Sequence, residues 1–549
     1  MRIAKYPARL LMYFLLFALI HVSEMTLAQE STSDVNPPRP NILLIVADDL
    51  GYADLGVHGS DIRTPNIDQL AKTGVLFTRF HTAPMCSPTR SMLLSGNNNH
   101  VAGVGRQHPS AAVKDKVPGY EGHLSDRVAA LPAVLQAAGY HTYLVGKWHL
   151  GTEAEHSPKA AGFERSFGVV EGAASHFDGR GFENAPTVYR EDGELTEWPS
   201  GQYSTALYTD KLLQYLEQDH TDGQPFFAMA AYTSPHWPLQ VPTEELDRYT
   251  GVYDAGYDAL REKNFSALKA AGIVPATSAL PPRNEAIKPW GELSAEQQRK
   301  ESRKMELYAA MVENLDGHVG RLVDYLKQSG QYDNTLVVFM SDNGAAGNDF
   351  YNHGPYVDYI RERFNNEYGN MGGPDSFVSY GVPWAEAGSA PFKRYKGYTS
   401  EGGIVAALIV SGDGVAGVGR RSHAYVTVMD LAPSFIALAG AHYPQDGTVQ
   451  AMRGSSMLPL LQNKAETVHD DKEVTVLLHR GNALVRQGPW KLTAIETVFS
   501  ESQFALYNLD IDPGETTDLS DSEPEKYAAL IEIWRQQRLE LGIILPQDL

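Results

Sequence analysis

From position 41 onward the chain repeats one pattern, in which a short apolar run rich in β-branched residues stops abruptly at polar ones. Asn41-Ile-Leu-Leu-Ile-Val-Ala47 ends at Asp48-Asp49, and Tyr143-Leu-Val-Gly146 ends at Lys147-Trp148-His149. Residues 226–232 end at Thr233-Ser-Pro-His236, and residues 335–340 end at Ser341-Asp342-Asn343-Gly344. Such runs read as strands buried on both faces. Between them lie helical stretches at 127–138 and 304–328; in the second, Tyr308, Met311, Val312, Leu315, Val319, Leu322 and Leu326 recur at helical spacing. Strand alternating with helix predicts an α/β fold whose mostly parallel sheet is covered by helices on both faces. Ligands of such sheets sit at the carboxyl ends of the strands, so the four polar clusters are expected to converge.

Beyond position 440 the character changes. Residues 474–478, 483–486, 490–493 and 504–509 are short strand-like pieces, with Gly488-Pro489 and Asp512-Pro513-Gly514 as turns. They predict a small antiparallel sheet, followed by a closing helix at 524–541 with Ser522 as its N-cap. Two irregular insertions, 179–201 and 345–392, complete the chain. Residues 350–398 hold 12 aromatic residues, far above the 10% of the whole sequence, so this stretch is expected to pack near a binding site.

The first residues are set apart from the fold. Arg2, Lys5 and Arg9 form a basic start, residues 10–22 are apolar apart from His21, and Thr26-Leu27-Ala28 is a small-residue ending. This predicts a signal peptide over 1–28 and an exported, periplasmic or secreted protein, the apolar run being too short for stable membrane insertion. A main domain over 29–440 and a C-terminal subdomain over 441–549 would follow.

The 549 residues carry a formal charge of −21. Such a balance argues against nucleic acid as a partner, and an anionic substrate would need a local cluster of cations. The single cysteine, Cys86, excludes an internal disulfide and a cysteine-based zinc site. A lone thiol in an oxidising compartment suggests a chemical role. Residues 74–81 read as a strand, Pro88 suits the first turn of a helix, and Cys86 is expected just before that turn, with Arg90 one turn along. Asp48, Asp49, Asp342 and Asn343 offer only oxygen donors, which suits Ca²⁺ or Mg²⁺ and not zinc.

Cys86-x-Pro88-x-Arg90, continued by Ser95-Gly96, resembles the signature of the type I sulfatases, whose cysteine is oxidised after translation to formylglycine. Asp48-Asp49, Gly146-Lys147-Trp148-His149, Ser234-Pro235-His236, Ser341-Asp342-Asn343-Gly344, and Lys396-Gly397 followed by Glu401-Gly402-Gly403 join it in order, with a spacing most like the bacterial arylsulfatases. The resemblance implies an alkaline-phosphatase-like fold with a large mixed sheet, and makes 29–440 the catalytic domain. It implies that a maturation enzyme converts Cys86 to 3-oxoalanine, whose hydrated aldehyde attacks sulfur with one hydroxyl and expels sulfate with the other.

The resemblance also assigns roles. Calcium, rather than magnesium, is implied on Asp48, Asp49, Asp342, Asn343 and residue 86. Lys147, His236 and Lys396 match the sulfate clamp, with His236 and Lys396 placed to protonate or neutralise the leaving oxygen. Arg90 and His149 would hold the diol, His149 would serve as base for elimination, and Asp342 could take the first proton. The expected substrate is a small sulfate ester, an aryl sulfate in view of the aromatic stretch. A phosphonate or phosphate ester hydrolase of the same architecture is the alternative. Gly412-Asp-Gly414-Val-Ala-Gly417 matches a dinucleotide fingerprint by letter, but the strand-like 420–428 follows it where a helix is needed. Asn264-Phe265-Ser266 is a glycosylation sequon.

Overall fold

In the first strand, β1 (Asn41–Ala47), alternate side chains enter two different cores. Leu43, Ile45 and Ala47 pack on one face and Ile42, Leu44 and Val46 on the other, all with no exposed surface. Burial of this kind stabilises the fold by roughly 1.5–3 kcal/mol for each large aliphatic side chain. The computed structural model describes residues 39–549 except 111, 115, 183–186 and 497. The expected signal peptide therefore lies outside the described residues. Among them no helix is long and apolar enough to cross a membrane.

The remaining strands are β2 (Val75–His81), β3 (His141–Lys147), β4 (Arg165–Val169), β5 (Tyr189–Glu191), β6 (Glu194–Thr196), β7 (Phe226–Ala231), β8 (Thr335–Ser341), β9 (Val405–Gly412), β10 (Arg420–Ser422) and β11 (Val426–Thr427). They form one eleven-stranded mixed sheet in the order β10-β2-β9-β8-β1-β7-β3-β4-β5-β6, with β11 also on β2. The centre, β8-β1-β7-β3, is parallel, which brings the four polar clusters to one edge as expected. Antiparallel pairing enters through β9, which lies between β8 and β2, and through the hairpin β5–β6 on β4.

One face is covered by α1 (Pro65–Thr73), α3 (Ser204–Asp219) and α4 (Ala295–Gln328), and the other by α2 (Cys86–Ser95) and α5 (Leu431–Ala439). The helix expected from position 304 starts earlier, at Ala295. Ser294 and Gln297 close a reciprocal capping box there, whose S-x-x-Q pattern the apolar spacing alone did not show. The insertion expected to be irregular at 179–201 holds the β5–β6 hairpin, and that at 345–392 holds short helices at Val357–Arg363 and Gly381–Gly388.

The small sheet, β12 (Val474–His479), β13 (Asn482–Gln487), β14 (Trp490–Ala494) and β15 (Ala505–Asn508), is antiparallel throughout. The closing helix α6 (Pro524–Glu540) buries Leu530, Ile531 and Trp534 against it. Its N-cap is Glu523, not Ser522, and Ser522 Oγ instead donates to Leu519 O at 3.2 Å. No helix follows the glycines at 412–417, where β10 and β11 run instead. Asn264 is buried and its Nδ2 donates to Ala387 O at 3.0 Å, so the folded chain does not present this sequon to a glycosyltransferase.

Candidate active site

Cys86 occupies the first position of the buried helix α2, with Met85 as the residue before it. It therefore lies inside the first turn rather than ahead of it. Thr89 holds this entry, exchanging hydrogen bonds with the Ala83 backbone at 3.0 and 3.1 Å. Free N–H groups and the helix dipole favour negative charge at such a position.

The strand ends deliver the other side chains. Asp48 and Asp49 follow β1, Lys147 closes β3, Asp342 and Asn343 follow β8, and His236 lies in the turn after β7. Gly146 has φ of 97°, and a Cβ there would come within 1.9 Å of Ala231 O, so this bend into Lys147 needs glycine. Lys396 arrives on a loop whose backbone is pinned to Ala345 O at 3.0 Å, while Gly397 N donates to Pro84 O at 2.8 Å.

These groups form one connected cluster. Cys86 Sγ lies 3.1 Å from Lys396 Nζ, 3.4 Å from Asp48 Oδ1 and 3.8 Å from Asp49 Oδ1. Lys147 Nζ donates to Asp48 Oδ2 at 2.7 Å, and Lys396 Nζ to Asp49 Oδ1 at 2.5 Å. Arg90 bridges Asp342 Oδ2 at 2.9 Å and Lys147 O at 2.8 Å, and Asn343 Nδ2 donates to Asp49 Oδ1 at 2.6 Å. His236 Nδ1 is held by Trp237 O at 2.7 Å, which leaves Nε2, 3.3 Å from Asp49 Oδ2, as the nitrogen facing the cluster. His149 is the one expected residue that forms no hydrogen bond through either ring nitrogen among the described residues. It is nonetheless buried in the field of Lys147, Arg90 and Lys396. Asp49 and His149 both take positive φ, 66° and 61°, a strained state for side chains other than glycine that recurs at functional sites.

Burial and the neighbouring charges set the protonation states. Burial opposes ionisation of Asp49, but Lys396, His236 and Lys147 outweigh it and hold the carboxyl below its ordinary value. Asp342 is raised by burial and by the charge of Asp48. His236 and His149 are held well below the usual imidazole value, first by burial and then by the nearby lysines. Burial works against the Lys396 ammonium, yet Asp49 raises it. The Cys86 thiol is pushed up by burial and by Asp342.

The donor set fits a hard cation. Asp48, Asp49, Asp342 and Asn343 bring carboxylate and amide oxygens together, and Asp49 Oδ2 and Asn343 Oδ1 have no hydrogen-bond partner among the described residues. Asp48, Asp49, Cys86 and His236 each offer an atom within 4.8 Å of the others. The expected oxygen set thus has a histidine nitrogen at its border, which its distance in sequence concealed. Two further residues escaped the sequence reading. His108 places its ring 5.4 Å from that of His149, and His176 Nε2 meets His236 O at 3.1 Å. Neither stands in a motif.

The sequence model of the sulfatase family matches residues 40–441. The chain is 39% identical over 533 residues to an uncharacterized sulfatase of Schizosaccharomyces pombe, covering 93% of this chain and 95% of that one. It is 38% identical over 411 residues to an arylsulfatase of Klebsiella aerogenes, covering 73% and 87%. The crystal structure of Ps i-CgsB in complex with k-i-k-neocarrahexaose is similar with a TM-score of 0.66, 25% identity and coverage of 91% and 92%. A phosphonate monoester hydrolase of Agrobacterium radiobacter shares the fold, with a TM-score of 0.54 at 19% identity over 92% and 95% of the two chains. With its Cys86-x-Pro88-x-Arg90 signature at the head of α2 and its alkaline-phosphatase-like sheet, the chain belongs to the type I sulfatase family, the hydrolases of sulfate esters.

Proposed function

We propose that the chain hydrolyses aryl sulfate monoesters with residue 86 in the formylglycine form and Ca²⁺ held by Asp48, Asp49, Asp342 and Asn343. The observation that carries this reading is the position of the lone cysteine, inside a helix N-terminal turn and within 3.1–3.8 Å of Lys396, Asp48 and Asp49. The hydrated aldehyde supplies a nucleophile that can also release sulfate, and the cation supplies charge for the sulfate oxygens. The chain's own residues do the rest. Lys147 and Lys396 neutralise the sulfate from two sides, and Arg90 holds residue 86 and Asp342 in register. His236, its Nδ1 committed to Trp237 O, exchanges a proton with the leaving oxygen through Nε2 alone. His149, neutral by burial, is the base for the release step.

The aromatic insertion supports a flat leaving group. The Trp237 ring lies tilted beside that of His236 with centroids 4.2 Å apart, and Phe182 and Phe350 lie 4.9 and 5.0 Å from Trp237. The phosphonate alternative rests on a likeness of fold alone. Export of the chain, through residues 1–28, and a maturation enzyme acting on Cys86 belong to the same proposal.

The test is Cys86→Ser assayed over many turnovers. The expected loss is at least about a thousandfold in turnover, with a sulfated serine accumulating. Undiminished multiple turnover by the serine variant would remove the formylglycine mechanism.

A further inference from the structure

A cavity of about 370 Å³ lies between the end of β2, the small sheet and the turn that carries Ile273 and Val274. Its walls are mostly apolar, with Ile273, Val274, Phe392, Val405 and Leu509 among them. Its charged and titratable groups are few: Arg79 and His81 of β2, His423, Arg486 of β13, and Glu401. Size and lining are those of a small-molecule site, in which apolar walls surround a few placed polar groups and the volume lies in the range of about 300–1,000 Å³. None of the residues around Cys86 lines it.

Arg486 decides what such a ligand would be. It is 5% exposed, its Nε donates to Gly488 O at 3.0 Å, its Nη1 faces His81 Nε2 at 3.3 Å, and its guanidinium lies 3.5 Å from the centre of the Tyr425 ring. Among the described residues it has no carboxylate ion pair, and its Nη2 has no hydrogen-bond partner. The acid on the cavity wall, Glu401, is already engaged by His81 at 2.9 Å and by Lys491 at 2.6 Å. Arg79, a second guanidinium on the same cavity, is held by Asp510 through Nη1 alone. A buried guanidinium that lines a partly apolar cavity, and whose Nη2 makes no hydrogen bond to the described residues, is stabilised by an anion more than by any neutral group.

We propose that this cavity binds a small organic anion, an acidic group on an apolar body, with Arg486 Nη2 anchoring the acid and Ile273, Val274 and Phe392 packing the body. The site is independent of sulfate chemistry. It touches the catalytic cluster only through the chain, since His81 closes the strand that leads to Cys86 and Glu401 follows the loop of Lys396.

Calorimetric titration of the full chain with benzoate, and in parallel with benzenesulfonate at constant ionic strength, tests it. One saturable site is expected, weakened by at least about tenfold in R486Q, the loss appropriate to one charge-assisted hydrogen bond. The same loss is expected in A276W, which fills the exposed mouth of the cavity and removes no charge. An anion held at the Cys86 cluster would be indifferent to A276W. Should R486Q fail to fold, A276W alone decides. No saturable binding to the wild-type chain, as when water alone meets Nη2, or wild-type affinity in A276W, would overturn the proposal.

Discussion

The molecule buries two clusters of opposite charges, and they are built differently. Around Cys86, Lys147 pairs with Asp48, Lys396 with Asp49 and Arg90 with Asp342, yet Asp49 Oδ2, Asn343 Oδ1 and both nitrogens of His149 lack hydrogen-bond partners. Where the small sheet joins the large one, Lys491 bridges Glu401 at 2.6 Å and Glu515 at 2.8 Å, and Glu515 also accepts the Glu401 N–H at 2.8 Å. The first cluster keeps valences open towards one point, whereas in the second the carboxylate oxygen without a hydrogen bond, Glu515 Oε1, still lies 2.8 Å from the Lys491 ammonium. Burial of charge therefore does not mark a site; unmet donors and acceptors do. Arg486, beside the second cluster, is the member with a donor still open.

The comparison can be broken most severely by removing the cation. Chelation should abolish sulfatase turnover, and Ca²⁺ should restore it better than Zn²⁺, because the residues proposed to hold the cation, Asp48, Asp49, Asp342 and Asn343, offer it oxygens. Stoichiometric zinc in active enzyme would contradict this ligand argument. Paired lysine variants come next. In the calcium-loaded enzyme Lys396→Met should lower kcat/KM by about 10²–10³ and keep most of its stability. Lys491→Met should lose about 3–5 kcal/mol in urea denaturation, since it leaves Glu401 and Glu515 buried without their shared cation. A Lys491→Met chain of wild-type stability would erase the distinction.

Two smaller effects sharpen it. His236→Ala should slow alkyl sulfates far more than activated phenyl sulfates, steepening a plot of log kcat/KM against leaving-group acidity. Parallel lines would take His236 out of the acid role, and a strong preference of the wild-type enzyme for sulfated oligosaccharides would replace the aryl assignment. The smallest effect concerns His469, outside both clusters, whose nitrogens meet Asp430 at 2.7 Å and Glu473 at 2.8 Å. Burial works against its charge, but the two acids raise it to about 9. A value raised above the unfolded one, about 6.5, gives stability that is full below that pH and lost as pH rises through 9. Denaturation between those limits should show a decline that His469→Gln flattens by about 1–2 kcal/mol.

Much of this arrangement was legible because the parallel centre of the sheet obeys a simple rule. Apolar runs that stop at Asp48, Lys147, His236 and Asp342 must end on one edge when their strands are parallel, and the α2 turn of Cys86 and Arg90 and the loop of Lys396 join them there, so nine of the ten expected site residues meet through direct contacts. What stayed hidden depends on side chains that no local pattern joins. His108 beside His149, His176 against His236 O, and the Glu401–Lys491–Glu515 bridge all link segments from different elements. Ser522 was misread as a cap because capping depends on backbone direction as well as residue type, and the chain enters α6 one residue later. The β5–β6 hairpin, three residues to a strand, is too short to show an alternation.

The account rests on residue 86 being an aldehyde in the working enzyme. Mass spectrometry of the peptide spanning Met85 to Arg90, from protein made in its native host, measures this without any assay of activity. The account predicts a mass with the aldehyde in place of the thiol, in the fraction of molecules that turn over. Fully active enzyme whose Cys86 is an unmodified thiol would contradict it.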